Sequence, residues 1–164
     1  MKNNTGNMVH VPHGWDSALA EQIIDEHLAL EGPMLPILHA IQAAFGFISE
    51  DAMRLVAARL NLTRAEVYGV VSFYHDFRQA PAGRHVLKLC RAEACQSMGG
   101  EANAEQLLSR LGLGWGETTP DGRLTVEPVY CLGLCACAPS ALLDHEVHGR
   151  LDAASLQQLA MEAL

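Results

Sequence analysis

The chain has 164 residues, 49% hydrophobic and 18% charged, with a formal net charge of −8. Mean hydropathy near zero excludes a largely disordered chain, and the length suits one globular domain or a small domain with a helical extension. The acidic surface argues against nucleic-acid binding, and the lack of a long apolar run argues against direct membrane insertion.

Residues 1–15 read as a polar, flexible lead-in without the apolar segment of a secretory signal, so the expected compartment is cytoplasmic. Structural disulfides are disfavoured there. A first helix is expected from Asp16 or Ser17 through DSALAEQIIDEHLAL, with Leu19, Ile23, Ile24, His27 and Leu28 near one face. Gly32-Pro33 ends it. A second helix starts near Met34, carries Leu35, Leu38, Ile41, Gln42 and Phe45 at helical spacing, and stops at Gly46. A third runs from about Ser49 to Asn61, with Met53, Val56, Ala57 and Leu60 inward. A fourth opens on the capping box Thr63-Arg64-Ala65-Glu66 and turns Val67, Val70, Val71 and Tyr74 inward.

The Pro/Gly segment QAPAG, residues 79–83, marks a boundary. Residues 16–78 are therefore expected as a helical bundle and 79–164 as a second domain. In that domain HVLKL (85–89) alternates like a strand and leads into Cys90. A helix is expected around Gly100 to Leu111. After the turn signal Pro120-Asp121-Gly122, Arg123 to Tyr130 reads as a strand leading into Cys131. A hairpin over Ala141–Asp144 and Val147–His148 and a helix over 153–164 close the chain. The expected class is α+β, a small sheet covered by helices after a helical bundle.

All five cysteines lie between residues 90 and 137. Their spacing is Cys90-x4-Cys95, a long gap, then Cys131-x3-Cys135, with Cys137 two residues further on. Each pair follows an expected strand, so neighbouring strand ends can bring both pairs to one pocket. Four thiolates suit tetrahedral zinc or an iron–sulfur cluster. Structural zinc knuckles favour C-x2-C, whereas wider loops suit a [2Fe–2S] rhomb. Gly99, Gly100 and Gly133 let backbone N–H groups approach sulfur. The helix after Cys95 directs its N-terminus toward the negative centre. Two other readings stay open: buried cysteines packed as small hydrophobes, and a thiol-exchange enzyme, which would want the C-x-x-C spacing this chain lacks.

Cys90-x4-Cys95-x3-Gly99 followed by CLGLCxxAP resembles the thioredoxin-like [2Fe–2S] ferredoxin family, which includes the 24 kDa subunit of respiratory complex I. Counterpart subunits of NAD-reducing hydrogenases and NAD-dependent formate dehydrogenases belong to it too. The resemblance spans about residues 16–164, including GVVSFYHDF (69–77), GRHVLKLC (83–90) and GETTPDGRLTVEPVYCLGLC (116–135). It implies a helical bundle followed by a thioredoxin-like domain. It also implies a [2Fe–2S] cluster on Cys90, Cys95, Cys131 and Cys135, with Cys137 as a non-ligand and no catalytic residue. The loop RAEACQSMG (91–99) resembles the gamma subunit of soluble NAD-linked formate dehydrogenases. That implies two partners, a flavin-bearing diaphorase subunit and a pterin-containing catalytic subunit. It also implies that this chain is a non-catalytic redox subunit. A zinc-stabilised interaction module is the alternative of another class.

Other residues are expected to serve packing or surface roles. The eight histidines are scattered, and four cysteines leave no need for histidine ligation. Phe73, Tyr74 and Phe77 form an aromatic group suited to core packing or to a subunit interface. Glu93, between two expected ligands, reads as a solvent-facing charge.

Overall fold

A computed structural model describes residues 14–164; residues 1–13 of the expected lead-in lie outside the described residues. The chain divides into two compact units, with the break between Pro81 and Ala82.

The first unit holds four helices: α1 (Ser17–His27), α2 (Met34–Phe45), α3 (Glu50–Leu60) and α4 (Arg64–Phe73). Their starts follow from side-chain caps for otherwise unpaired N–H groups. Asp16 accepts from Ala18 and Leu19, and Ser49 from Ala52. The Thr63–Glu66 capping box is formed in both directions. Helix α2 ends on Gly46 at φ 83°, whose N–H donates to the Gln42 carbonyl. Ile24, Ile37, Leu38, Ile41, Ile48, Val56, Val67 and Val71 are fully buried or nearly so in one core. Each such side chain contributes roughly 1.5–3 kcal/mol.

Helix α1 is shorter than its sequence suggests. Its buried positions are Ala20 and Ile24, and Leu28 and Leu30 are exposed, so no apolar face sustains a further turn. Leu60 and Val70 are half-buried rather than fully inward. The aromatic group divides: Phe77 is buried, while Phe73 and Tyr74 are exposed at and just past the end of α4.

The second unit carries a four-stranded sheet of order β2-β1-β3-β4. The strands are β1 (His85–Cys90), β2 (Leu124–Val129), β3 (Ser140–Leu143) and β4 (Glu146–Gly149). β1 and β2 are parallel, and β3 pairs antiparallel with both β1 and β4. Helices α5 (Glu93–Ser97) and α6 (Gly100–Leu111) connect β1 to β2, and α7 (Ala153–Glu162) closes the chain. Leu87, Leu124, Val126 and Ala141 of the sheet are buried in one core with Leu107, Leu108, Leu156 and Leu159 of the helices. The five-residue α5 has no counterpart among the expected elements, because so short a helix leaves no apolar period to register.

Candidate metal centre

Parallel pairing puts the C-terminal ends of β1 and β2 side by side, with Cys90 opposite Val129. The Arg91 N–H donates to the Val129 carbonyl at 2.8 Å, extending the ladder one step. Cys90 ends β1, and Cys131 lies two residues beyond the end of β2. Strand β3 runs the other way, with Leu89 opposite Ala141. Its first residue, Ser140, therefore starts at the same end of the sheet. Cys95 is delivered by α5, and Cys135 opens a short 3-10 turn, Cys135–Cys137.

The four thiols form two unlike pairs. Cys90 and Cys95 are buried, whereas Cys131 and Cys135 are exposed. The Cys131 and Cys135 sulfurs are 3.7 Å apart. Two thiolates on one tetrahedral metal, with metal–sulfur bonds of about 2.3 Å, sit about 3.8 Å apart. Burial pushes the Cys90 thiol up. It is nevertheless held below the ordinary thiol value, because the N–H groups of Ala92, Cys131 and Leu132 and the Cys95 thiol all hydrogen-bond to it. Cys135 is pushed up, first by its hydrogen bond to Cys131, then by the negative charge of Cys131, by burial, and by the charges of Cys95 and Cys90. The Cys135 thiol thus feels charge from the other three cysteines.

That donor set fits a cluster. Four thiolates this close repel one another and need cationic charge to coexist. Two separate pairs match a [2Fe–2S] rhomb, in which each iron takes two protein thiolates.

The backbone is shaped around the sulfurs. Cys131 and Gly133 both adopt left-handed conformations, at φ 84° and 78°. The Gly133 N–H donates to Cys131 Sγ at 3.4 Å. Gly100 is needed for a different reason: a Cβ there would lie 2.7 Å from the Cys95 carbonyl oxygen. Its absence lets α6 start directly against the Cys95 turn.

Cys137 is half-buried. Its carbonyl accepts from Arg150, and its Cβ would lie 2.9 Å from a Cβ added at Gly149. Glu93 is exposed in the first turn of α5. His39 is exposed and packs on Phe77 with ring centroids 4.8 Å apart.

Two features of the site are not legible in the cysteine spacing. Arg91 binds Glu101 through two contacts, at 2.6 and 3.2 Å, and stacks 4.8 Å over Trp115. This locks the residue after Cys90 to the first turn of α6. Ser140 is buried, with its hydroxyl 3.5 Å from Cys95 Sγ. Both depend on pairings between distant residues, which spacing does not encode; the polar Ser140 opening an apolar strand is the one visible signal.

Among solved structures, the chain resembles an NAD+-reducing [NiFe]-hydrogenase in its H2-reduced state. The TM-score is 0.64 at 28% identity, over 77% of this chain and 22% of that one. The HndA subunit of the NADP-reducing hydrogenase of Solidesulfovibrio fructosivorans is 30% identical over 141 residues, covering 86% of this chain and 82% of that subunit. A subunit of the NADH-quinone oxidoreductase of Rhizobium meliloti is 39% identical over 126 residues, 77% of this chain and 75% of that subunit. Its counterpart in the NADH-quinone oxidoreductase of Mycobacterium tuberculosis is 35% identical over 127 residues, and the chain spans half of that protein's length. The thioredoxin-like [2Fe–2S] ferredoxin description matches residues 20–163. With that match across both units, the chain belongs to the thioredoxin-like [2Fe–2S] ferredoxin family, and its cofactor is a [2Fe–2S] cluster.

Proposed function

We propose that this chain is the electron-transfer subunit of a soluble, cytoplasmic NAD-dependent formate dehydrogenase complex. In this reading Cys90, Cys95, Cys131 and Cys135 hold the cluster, one pair to each iron. The observation that carries it is the convergence of two cysteine pairs at the adjoining ends of β1 and β2. When bound, the cluster takes up and returns one electron without bonds being made to a substrate.

The protein's part is to hold and tune. Buried Cys90 and Cys95 anchor the inner side of the site, and N–H donors to sulfur favour the reduced state. Exposed Cys131 and Cys135 form the outer side, through which an electron has the shortest path to a partner. Residues 79–164 are assigned the cluster and residues 16–78 a supporting helical bundle. No helix among the described residues is long and apolar enough to cross a membrane, in keeping with a soluble assembly.

The partners in this proposal are a flavin-bearing diaphorase subunit and a pterin-containing catalytic subunit. The relatives are, by their names, subunits of an NADP-reducing hydrogenase and of NADH-quinone oxidoreductases, and the loop RAEACQSMG (91–99) favours formate dehydrogenase among such complexes. The alternative is the equivalent subunit of respiratory complex I or of an NAD-reducing hydrogenase. Affinity capture of the tagged chain from its native host tests the choice. Formate-driven NAD reduction by the captured complex, with pterin and flavin present, supports formate dehydrogenase. Hydrogen-driven NAD reduction or NADH-driven quinone reduction without formate activity contradicts it.

A further inference from the structure

Ser140 is the first residue of β3 and only 4% exposed, and Cys95 beside it is 2% exposed. The hydroxyl oxygen lies 3.5 Å from Cys95 Sγ, a hydrogen-bonding distance for the larger sulfur atom. In a free thiol either group can be the donor. A sulfur bound to iron as thiolate has no proton to give, so the serine hydroxyl must then donate. The adjoining cavity has a volume of about 10 Å³ and is lined by Cys90, Gly100, Pro139, Ser140 and Ala141, among others. It has room for about one water molecule.

We infer that Ser140 is a positioning residue that sets the reduction potential of the cluster by donating its O–H to Cys95 Sγ. This rests on the cluster reading above. Reduction adds a negative charge shared with the ligand sulfurs, so a donor to sulfur strengthens as the electron arrives and stabilises the reduced state. The inner sulfur is shielded from bulk water, and a single fixed donor there has no solvent competition.

The test uses Ser140→Thr and Ser140→Val in the full chain, with potentials read by EPR-monitored titration against a dithionite-reduced series. Thr and Val share one shape, and both suit a strand, so packing effects cancel between them. The expected result is that S140T stays near the unsubstituted potential. S140V should fall below S140T by about three- to tenfold in the reduction equilibrium, roughly 30–60 mV at 59 mV per tenfold for one electron. Equal potentials for S140T and S140V overturn the inference. If the strand rejects both branched side chains, Ser140→Ala decides. The exchangeable-proton hyperfine spectrum of the reduced cluster should lose one coupling relative to the unsubstituted protein, and an unchanged spectrum overturns the inference. Iron and sulfide analysis of the unsubstituted chain separates the two claims. A chain without iron and sulfide overturns the cluster reading and the inference together, whereas a normal cluster with an unmoved potential overturns the Ser140 role alone.

Discussion

The Cys131 and Cys135 sulfurs stand 3.7 Å apart on the exposed side of the site, the separation two thiolates take on one tetrahedral iron. The 3-10 turn begins at Cys135, and the backbone at Cys131 is left-handed, at φ 84°. One pair of thiols therefore faces solvent, while Cys90 and Cys95 are buried.

Each of Cys90→Ala, Cys95→Ala, Cys131→Ala and Cys135→Ala should abolish or severely reduce cluster content, while Cys137→Ala should leave it intact. Iron and sulfide per chain, with the visible absorption of the purified protein, measure this. Loss of the cluster in C137A with retention in C135A contradicts the ligand set.

Gly100→Ala should lower cluster content although it touches no sulfur. The added Cβ would stand 2.7 Å from the Cys95 carbonyl, so α6 or the Cys95 turn has to move. Overpacking of this kind costs about 1–3 kcal/mol. Chemical denaturation should show that loss, and iron content should fall with it. Gly99→Ala, with open space at its Cβ position, tests left-handed strain alone, since Gly99 sits at φ 85°.

In the helical unit, Ile41→Ala should cost about 2–5 kcal/mol, the usual penalty for emptying a fully buried aliphatic site. A urea titration followed by circular dichroism checks it. A change of less than about 1 kcal/mol, on the order of a surface substitution, would show that the core is not packed as described.

Asp121 is held down at about 2 by its hydrogen bond to the Thr119 hydroxyl and then by Arg123. A carboxyl depressed in the folded state stabilises it above its unfolded value and loses that contribution as pH falls toward the folded one. The turn before β2 should accordingly weaken between about pH 4 and pH 2. Asp121→Asn should flatten the acid limb of stability against pH, measured on the metal-free chain. An unchanged acid limb contradicts the assignment.

Much of this architecture is legible in the residues. Caps at Ser49 and Thr63 and the glycine stop at Gly46 carry local signals, because each pairs backbone groups within one turn. The two cysteine pairs point to the site, since strand ends and short spacings are sequence-local. The rest depends on distant partners. Ser140 meets Cys95 across forty-five positions, and Arg91, just past β1, meets Trp115, in the loop after α6, only through the tertiary fold. The apolar pattern also overstates burial where a helix ends early, as at Leu28 and Tyr74.

The most direct test of the central claim is iron, sulfide and zinc analysis of the anaerobically purified chain, with low-temperature EPR before and after dithionite. A [2Fe–2S] chain should give about two irons and two sulfides, no EPR signal as isolated, and a one-electron signal on reduction. Stoichiometric zinc without sulfide, and silence after dithionite, would contradict it and leave a zinc-stabilised structural module.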